Sequence, residues 1–104
     1  MVEVCFPSPR GNSLRLKVTG HSGSDTKGKD LVCAAVSSLL HTMLGGLENE
    51  VQAEVEGTFK EGLCDVNVVV DEAKVAAFNS IAKVFRFGFE KLAQNYPTHI
   101  RIMN

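Results

Sequence analysis

Alternating hydrophobic and polar residues at the start of the chain predict two β-strands. The apolar positions are Val2, Val4 and Phe6 in the first segment and Leu14, Leu16 and Val18 in the second. A period of two places these side chains on one face of each strand. Residues 7–12 contain two prolines and a glycine, which predicts a turn that lets the two strands pair antiparallel.

A helical pattern follows a polar, glycine-containing stretch at residues 20–29. Its apolar stripe consists of Val32, Val36, Leu39, Met43 and Leu47. Asp30 precedes this stripe and is predicted to be the N-cap, because aspartate accepts hydrogen bonds from the first free amides of a helix. Gly45 and Gly46 predict a fraying end of the helix.

The second half of the chain is also predicted to contain two strands followed by a helix, with one further strand at the end. We expect a strand at 51–56, a turn at 57–62, a strand at 63–70, a helix capped by Asp71 that continues to Leu92, and a short strand at Ile100 and Ile102. The predicted fold class is therefore α+β, with order ββαββαβ. Residues 1–104 form a single domain in which two helices pack on one face of an antiparallel sheet.

Composition narrows the functional classes. The 104 residues are 44% hydrophobic and 22% charged, which is typical of a globular domain. A net charge of −1 does not suggest direct binding to nucleic acid. We expect no membrane partner, because no apolar run approaches the roughly 20 residues needed to span a bilayer. Residues 1–6 lack a basic segment, so we predict a cytoplasmic protein without a signal peptide.

Three phenylalanines, Phe85, Phe87 and Phe89, lie close together in the second predicted helix. One helix stripe does not bury all three easily, so part of this surface is a candidate contact with a second subunit. The alternative is that all three pack in the core of their own chain.

The cysteines, Cys5, Cys33 and Cys64, are odd in number and widely spaced. They match neither a disulfide framework nor a zinc motif. With Asp30 as N-cap, Cys33 falls in the first helical turn, where unpaired amides and the helix dipole stabilise a thiolate. The same amides are candidates for binding the oxyanion of an acyl-transfer reaction.

His21 is the candidate general base for this thiol. It follows the second strand, and the polar loop after it allows the chain to fold back towards Cys33. The alternative is that His21 is a polar strand end and that Cys33 is a small core residue.

Three more polar residues share the helical spacing of Cys33. Asp30, Ser37 and His41 are expected on the same side of the helix. Asp30 either only caps the helix or also orients the histidine, and Ser37 either hydrogen-bonds the thiol or only packs beside it. His41 is a poor candidate base, because eight residues of helix separate it from Cys33 by about 12 Å. His99 has no evident partner in the sequence.

The segment from Gly20-His21 through a glycine-rich loop to Gly28-Lys29-Asp30-Leu31-Val32-Cys33-Ala34-Ala35-Val36-Ser37 resembles the signature of the ribosomal-processing cysteine proteases called Prp. The resemblance extends over the chain, including the Tyr96-Pro97 and Ile100-Arg101 pairs near its end. The departures are Ser22, where alanine is more common, and the prolines of the first turn.

This resemblance implies a catalytic dyad of Cys33 and His21, with Asp30 and Ser37 at supporting positions. It also implies a homodimer and a substrate loop that includes Ser22, Gly23, Gly28 and Lys29. The implied substrate is the N-terminal extension of a bacterial large-subunit ribosomal protein, removed during ribosome assembly. No metal or organic cofactor is implied.

Two other functions remain open at this point. One is a non-catalytic ribosome-assembly module that binds a ribosomal protein tail without cutting it. The other is a redox-sensing thiol, for which Cys5 or Cys64 would have to lie near Cys33 in the fold.

Overall fold

Five strands and two helices build the fold in the computed structural model, which describes residues 1–20 and 27–104 and, for residues 27–30, the backbone only. The elements are β1 (Val2–Cys5), β2 (Ser13–Thr19), α1 (Lys27–Val51), β3 (Glu54–Lys60), β4 (Leu63–Val69), α2 (Val75–Asn95) and β5 (Ile100–Met103). The predicted order ββαββαβ is confirmed.

The strands form one sheet in the order β3-β4-β2-β1-β5. The predicted antiparallel hairpin of β1 and β2 is confirmed, with Val4 opposite Val18. β5 lies parallel to β1, with Val2 opposite Ile100, so the sheet is mixed rather than wholly antiparallel. The helix between β4 and β5 causes this, because a crossover helix returns the chain in the direction of the first strand.

One face of the sheet carries the core. In β1, β2 and β4 every second residue is buried there, including Val4, Leu16 and Val68, each at 0% exposure. β3, at the edge of the sheet, has no buried residue. The intervening residues, such as Arg15, Lys17 and Asn67, point to the opposite, solvent-exposed face. Both helices therefore pack on the same face, as the alternation predicts.

The ends of α1 differ from the predicted ends. The helix begins at Lys27, three residues before Asp30, so Asp30 is not the N-cap. An acidic residue stabilises a helix start from within the first turn as well as from the cap, so its presence does not define the boundary. The helix also continues through Gly45 and Gly46 to Val51, because Leu47 and Val51 extend its buried stripe.

The third strand is displaced from its predicted position. β3 covers Glu54–Lys60 rather than 51–56, and the turn to β4 is confined to Glu61 and Gly62. The expected turn at Gly57 was wrong. Gly57 lies within β3, with φ of +132°, in close contact with the backbone of Asp65 on β4. A glycine inside a strand often marks such an approach.

The second helix separates the three phenylalanines. A short 3₁₀ helix at Glu72–Lys74 follows Asp71 and leads into α2. Phe89 is fully buried and Phe85 packs against the core, whereas Phe87 is 59% exposed. The arrangement in which all three fill their own core is therefore wrong for Phe87.

Part of α1, Leu31–Val51, has the length and the mean hydropathy, 1.4, of a helix that can span a membrane. The expectation that no segment has these properties was therefore wrong. The sequence there is rich in leucine and valine, and its charged residues are Glu48 and Glu50. In the fold, some of its apolar side chains, among them Val32, Leu40 and Leu47, are buried in the core, whereas Leu31 is 61% exposed.

Candidate active site

A cleft of about 380 Å³ lies between α1 and one end of the sheet. Cys33, Ser37 and His41 line it from the helix side. Their spacing of four residues is close to one helical turn, so the three side chains succeed one another along one side of α1, as the sequence predicts. The Cys33 thiol is free and half-buried.

The ends of the strands form the opposite wall. Phe59 on β3, Cys64 on β4 and Val18 on β2 are neighbours in register, and all three line the cleft. The turn between β3 and β4 completes this wall with residues Lys60–Leu63. The strand side of the cleft is therefore largely apolar, and its charged residues, Lys60 and Glu61, lie together at the turn.

Gly20, which directly follows β2, also lines the cleft. Its φ is +95°, and a Cβ there would lie 2.4 Å from the carbonyl oxygen of Met1. Only glycine fits a backbone with this conformation and this close approach. Gly20 directly precedes His21, so the last described residue before the predicted base lies at the cleft. His21, Ser22 and Gly23 themselves lie outside the described residues.

Cys33 lies further from the start of α1 than predicted. Gly28, Lys29 and Asp30 belong to the first turn of the helix, and their side chains lie outside the described part of the structure. Cys33 is the seventh helical residue, in the second turn. The unpaired amides at the helix start lie about 6 to 9 Å upstream along the axis. The prediction that Cys33 falls in the first helical turn, beside these amides, was therefore wrong.

The three cysteines have different environments. Cys5 is half-buried on the sheet face opposite the helices, and Cys64 is buried at 2% exposure. Burial, aided by the neighbouring Asp65 carboxylate, raises the pKa of the Cys64 thiol to about 11. A thiol with this pKa stays protonated at neutral pH and is a poor nucleophile. Of the thiols that line the cleft, Cys33 is thus the accessible one.

Sequence reasoning did not identify the pair formed by His41 and Phe59. Their rings stack with centroids 4.6 Å apart and an interplanar angle of 28°. Both side chains line the cleft and both are exposed. The helical spacing of His41 placed it on the side of Cys33, but no local signal in the sequence paired it with a residue eighteen positions away.

The remaining predicted groups lie elsewhere. His99 does not line the cleft, and its Nδ1 lies 3.5 Å from the Thr98 hydroxyl. Within residues 1–20 and 27–104, no cluster of three or more histidine, cysteine, aspartate or glutamate side chains is arranged to hold a metal ion.

Comparison with solved structures shows the same fold in two bacterial proteins. SMU.848 from Streptococcus mutans is 27% identical, with a TM-score of 0.81 over 99% of this chain and 92% of that one. The essential ribosomal processing protease Prp from S. aureus, in complex with a substrate peptide, is 14% identical, with a TM-score of 0.75 over 98% and 97% of the two chains.

A second S. aureus Prp structure, with a covalently linked product peptide, is 15% identical and has a TM-score of 0.77 over 99% and 98% of the two chains. A search of curated proteins finds no match to the chain. The family model described as cysteine protease Prp matches residues 1–101. The chain therefore belongs to the cysteine protease Prp family.

Proposed function

We propose that the protein is a cysteine endopeptidase that removes the N-terminal extension of a bacterial large-subunit ribosomal protein during ribosome assembly. The observation that carries this proposal is the position of Cys33, which is half-buried and free on the wall of a cleft that Gly20 also lines. His21 follows Gly20 directly. Family membership supports cysteine protease chemistry, and the S. aureus Prp complexes support a peptide as the ligand.

The reaction begins when His21 accepts the proton of the Cys33 thiol. The thiolate attacks the carbonyl carbon of the scissile peptide bond, and the protonated imidazole donates its proton to the leaving amine. The product is a thioester between Cys33 and the N-terminal fragment. His21 then removes a proton from water, which attacks the thioester and regenerates the thiol.

Ser37 and Asp30 have supporting roles in this proposal. Ser37 lies one turn beyond Cys33 on the cleft wall, where its hydroxyl can hydrogen-bond the thiolate or the substrate. Asp30 precedes Cys33 by about one turn on the same side of α1 and is proposed to orient the imidazole. Ser22 and Gly23 are proposed to belong to a loop that closes over the substrate. Gly28 and Lys29, which were predicted in the same loop, lie in the first turn of α1 and are proposed to border the substrate from there.

The decisive experiment uses a peptide that spans the N-terminal extension of the candidate ribosomal protein. We expect mass spectrometry to detect one cut, and we expect Cys33→Ala to abolish it. Cys5→Ala is the matched control, because Cys5 lies on the other face of the sheet and its loss should leave cleavage unchanged. Full cleavage by Cys33→Ala would contradict the assignment. Tight binding of an intact peptide by the wild-type protein would instead favour a non-catalytic ribosome-assembly module.

The proposal includes a homodimer in the cytoplasm. Ribosomal proteins are made and assembled there, so an enzyme that processes one works in the same compartment. Phe87 and Val84, 59% and 66% exposed and about one turn apart on α2, form an apolar patch that we assign to contact with a second copy. We expect the protein to act without a metal or an organic cofactor and without direct contact to nucleic acid or a membrane.

A further inference from the structure

We propose that the stacked rings of His41 and Phe59 form a specificity subsite that binds an apolar substrate side chain about four residues from the scissile bond. This inference rests on the proposed function, because it takes Cys33 as the reacting group. It adds a substrate requirement that family membership does not state. The two rings are called the His41–Phe59 wall below.

Distance along α1 sets the position of this subsite. His41 follows Cys33 by eight residues, which corresponds to about 12 Å along the helix axis. An extended peptide advances about 3.3 Å per residue. A substrate that runs along the cleft from Cys33 thus reaches the His41–Phe59 wall after about four residues.

The strand side of the cleft has a comparable length. The cleft includes Val2 on β1 and Phe59 on β3, and the sheet order places β2 and β4 between them. Three steps between neighbouring strands amount to about 14 Å. The cleft is therefore long enough to hold about four extended residues beside the nucleophile.

The chemistry of the wall favours an apolar side chain. Phe59 is 37% exposed, although it points to the helix side of the sheet, and its ring has one face on His41. Cys64, which lies opposite Phe59 on β4, is buried and protonated at neutral pH, so it adds no charge to the strand side of the cleft. Lys60 and Glu61 at the adjacent turn carry opposite charges and give no net preference for a charged ligand. Burial of apolar surface is thus the main gain available to a ligand here.

The test measures cleavage of peptides that carry Leu, Phe, Ser, Asp or Lys at each position from two to six residues on either side of the cut. We expect the wild-type protein to prefer Leu or Phe over Asp at one position about four residues away. Phe59→Ala should reduce this discrimination roughly tenfold and leave preferences next to the cut unchanged. His41→Ala should act in the same direction.

Two further variants separate recognition from folding. Thr58→Ala is the matched control, because Thr58 neighbours Phe59 on β3 but faces the other side of the sheet, and its profile should equal that of the wild type. Phe59→Glu should shift the preference at the same position towards Lys, a gain that a misfolded protein cannot show. Profiles of Phe59→Ala and Phe59→Glu that match the wild type would overturn the subsite alone. A wild-type protein that cuts no peptide would instead contradict the proposed function on which the subsite rests.

Discussion

Cys33 and Cys64 line the same cleft, but their surroundings give them different reactivity. Cys64 is buried among apolar side chains and its pKa is raised to about 11, so roughly one thiol in several thousand is ionised at pH 7.5. Cys33 is half-buried and borders the cleft. The difference follows from side-chain burial, which sequence spacing does not reveal.

We therefore expect iodoacetamide at pH 7.5 to modify Cys33 and to leave Cys64 unmodified in the folded protein. Peptide mass spectrometry after a timed reaction measures both sites in one sample. Cys64→Ala should retain the modification of Cys33, and denatured protein should be modified at both sites. Equal modification of Cys64 and Cys33 in the native protein would contradict this account of the cleft.

The raised pKa of Cys64 also predicts a loss of stability at alkaline pH. The folded value, about 11, lies above the ordinary value of 9.0, so the unfolded chain loses this proton first. The contribution of the protonated thiol is fully present below pH 9 and declines as the pH rises towards 11, by about 3 kcal/mol in total. Denaturant unfolding at a series of pH values should show this decline in the wild type. Cys64→Ala should remove that part of the slope, and identical slopes would contradict the prediction.

Gly20 is the residue whose backbone sets the path of the chain towards His21. A Cβ at this position would meet the carbonyl oxygen of Met1 at 2.4 Å, and the φ of +95° is unfavourable for other residues. We expect Gly20→Ala to slow peptide cleavage at least tenfold, because it displaces the segment that carries the proposed base. Gly11→Ala is the control: φ there is also positive, at +56°, but no atom lies within 4 Å of its Cβ position. Equal activity of the two variants would show that the close contact at Gly20 is not important.

At the scale of elements, α1 connects the core to the cleft. Its buried stripe, which includes Val36, Leu40 and Leu47, holds the helix on the sheet, and its adjacent side presents Cys33 to the cleft. Helix propensity alone would favour an end near Gly45 and Gly46. Burial of Leu47 and Val51 outweighs the cost of two glycines, so the helix continues to Val51.

This account predicts that Gly45→Ala stabilises the protein. Gly45 is exposed within α1, and no atom lies within 4 Å of its Cβ position. An alanine there should raise the free energy of unfolding by about 0.5 to 1 kcal/mol, because it reduces the entropy lost on helix formation. Urea denaturation measures the change. Gly57→Ala is the opposite case, since its Cβ would lie 2.2 Å from the Asp65 carbonyl oxygen, and it should destabilise the β3–β4 pair.

At the scale of the whole molecule, one face of the sheet carries the helices and the other is open to solvent. The open face carries charged residues, among them Arg15 and Asp65, which form a surface ion pair at 3.2 Å. Arg101 on β5 contacts Glu3 on β1 on the same face. The exposed apolar patch of Val84 and Phe87 lies on the helical side of the molecule, where a second copy would bury it.

We expect Phe87→Glu to weaken the proposed homodimer. A charge in the middle of an apolar contact costs several kcal/mol when it is buried without a partner. Light scattering coupled to gel filtration should detect a dimer for the wild type and a monomer for the variant at micromolar concentration. Asn67→Glu adds the same charge on the exposed sheet face and should leave the dimer intact. A dimeric Phe87→Glu would place the interface elsewhere, and a monomeric wild type would contradict the homodimer itself.

The order of elements and the buried face of β1 and β2 could be predicted from the sequence. Alternation identified β1 and β2, β-branched residues identified β4, and the spacing of Val32, Val36 and Met43 identified α1, because these patterns are local properties of a segment. The same helical spacing placed Cys33, Ser37 and His41 on one side of α1. The motif around His21 and Cys33 indicated the family that the match over residues 1–101 shows.

Tertiary structure decided what depends on contacts between distant segments. The parallel pairing of β5 with β1, the extension of α1 to Val51 and the position of Gly57 inside β3 all depend on partners far away in sequence. The stacking of His41 on Phe59 and the burial of Cys64 have the same origin. Local pattern determined which side chains share a face, because backbone geometry repeats along a segment. Packing between segments determined which of those faces became the cleft.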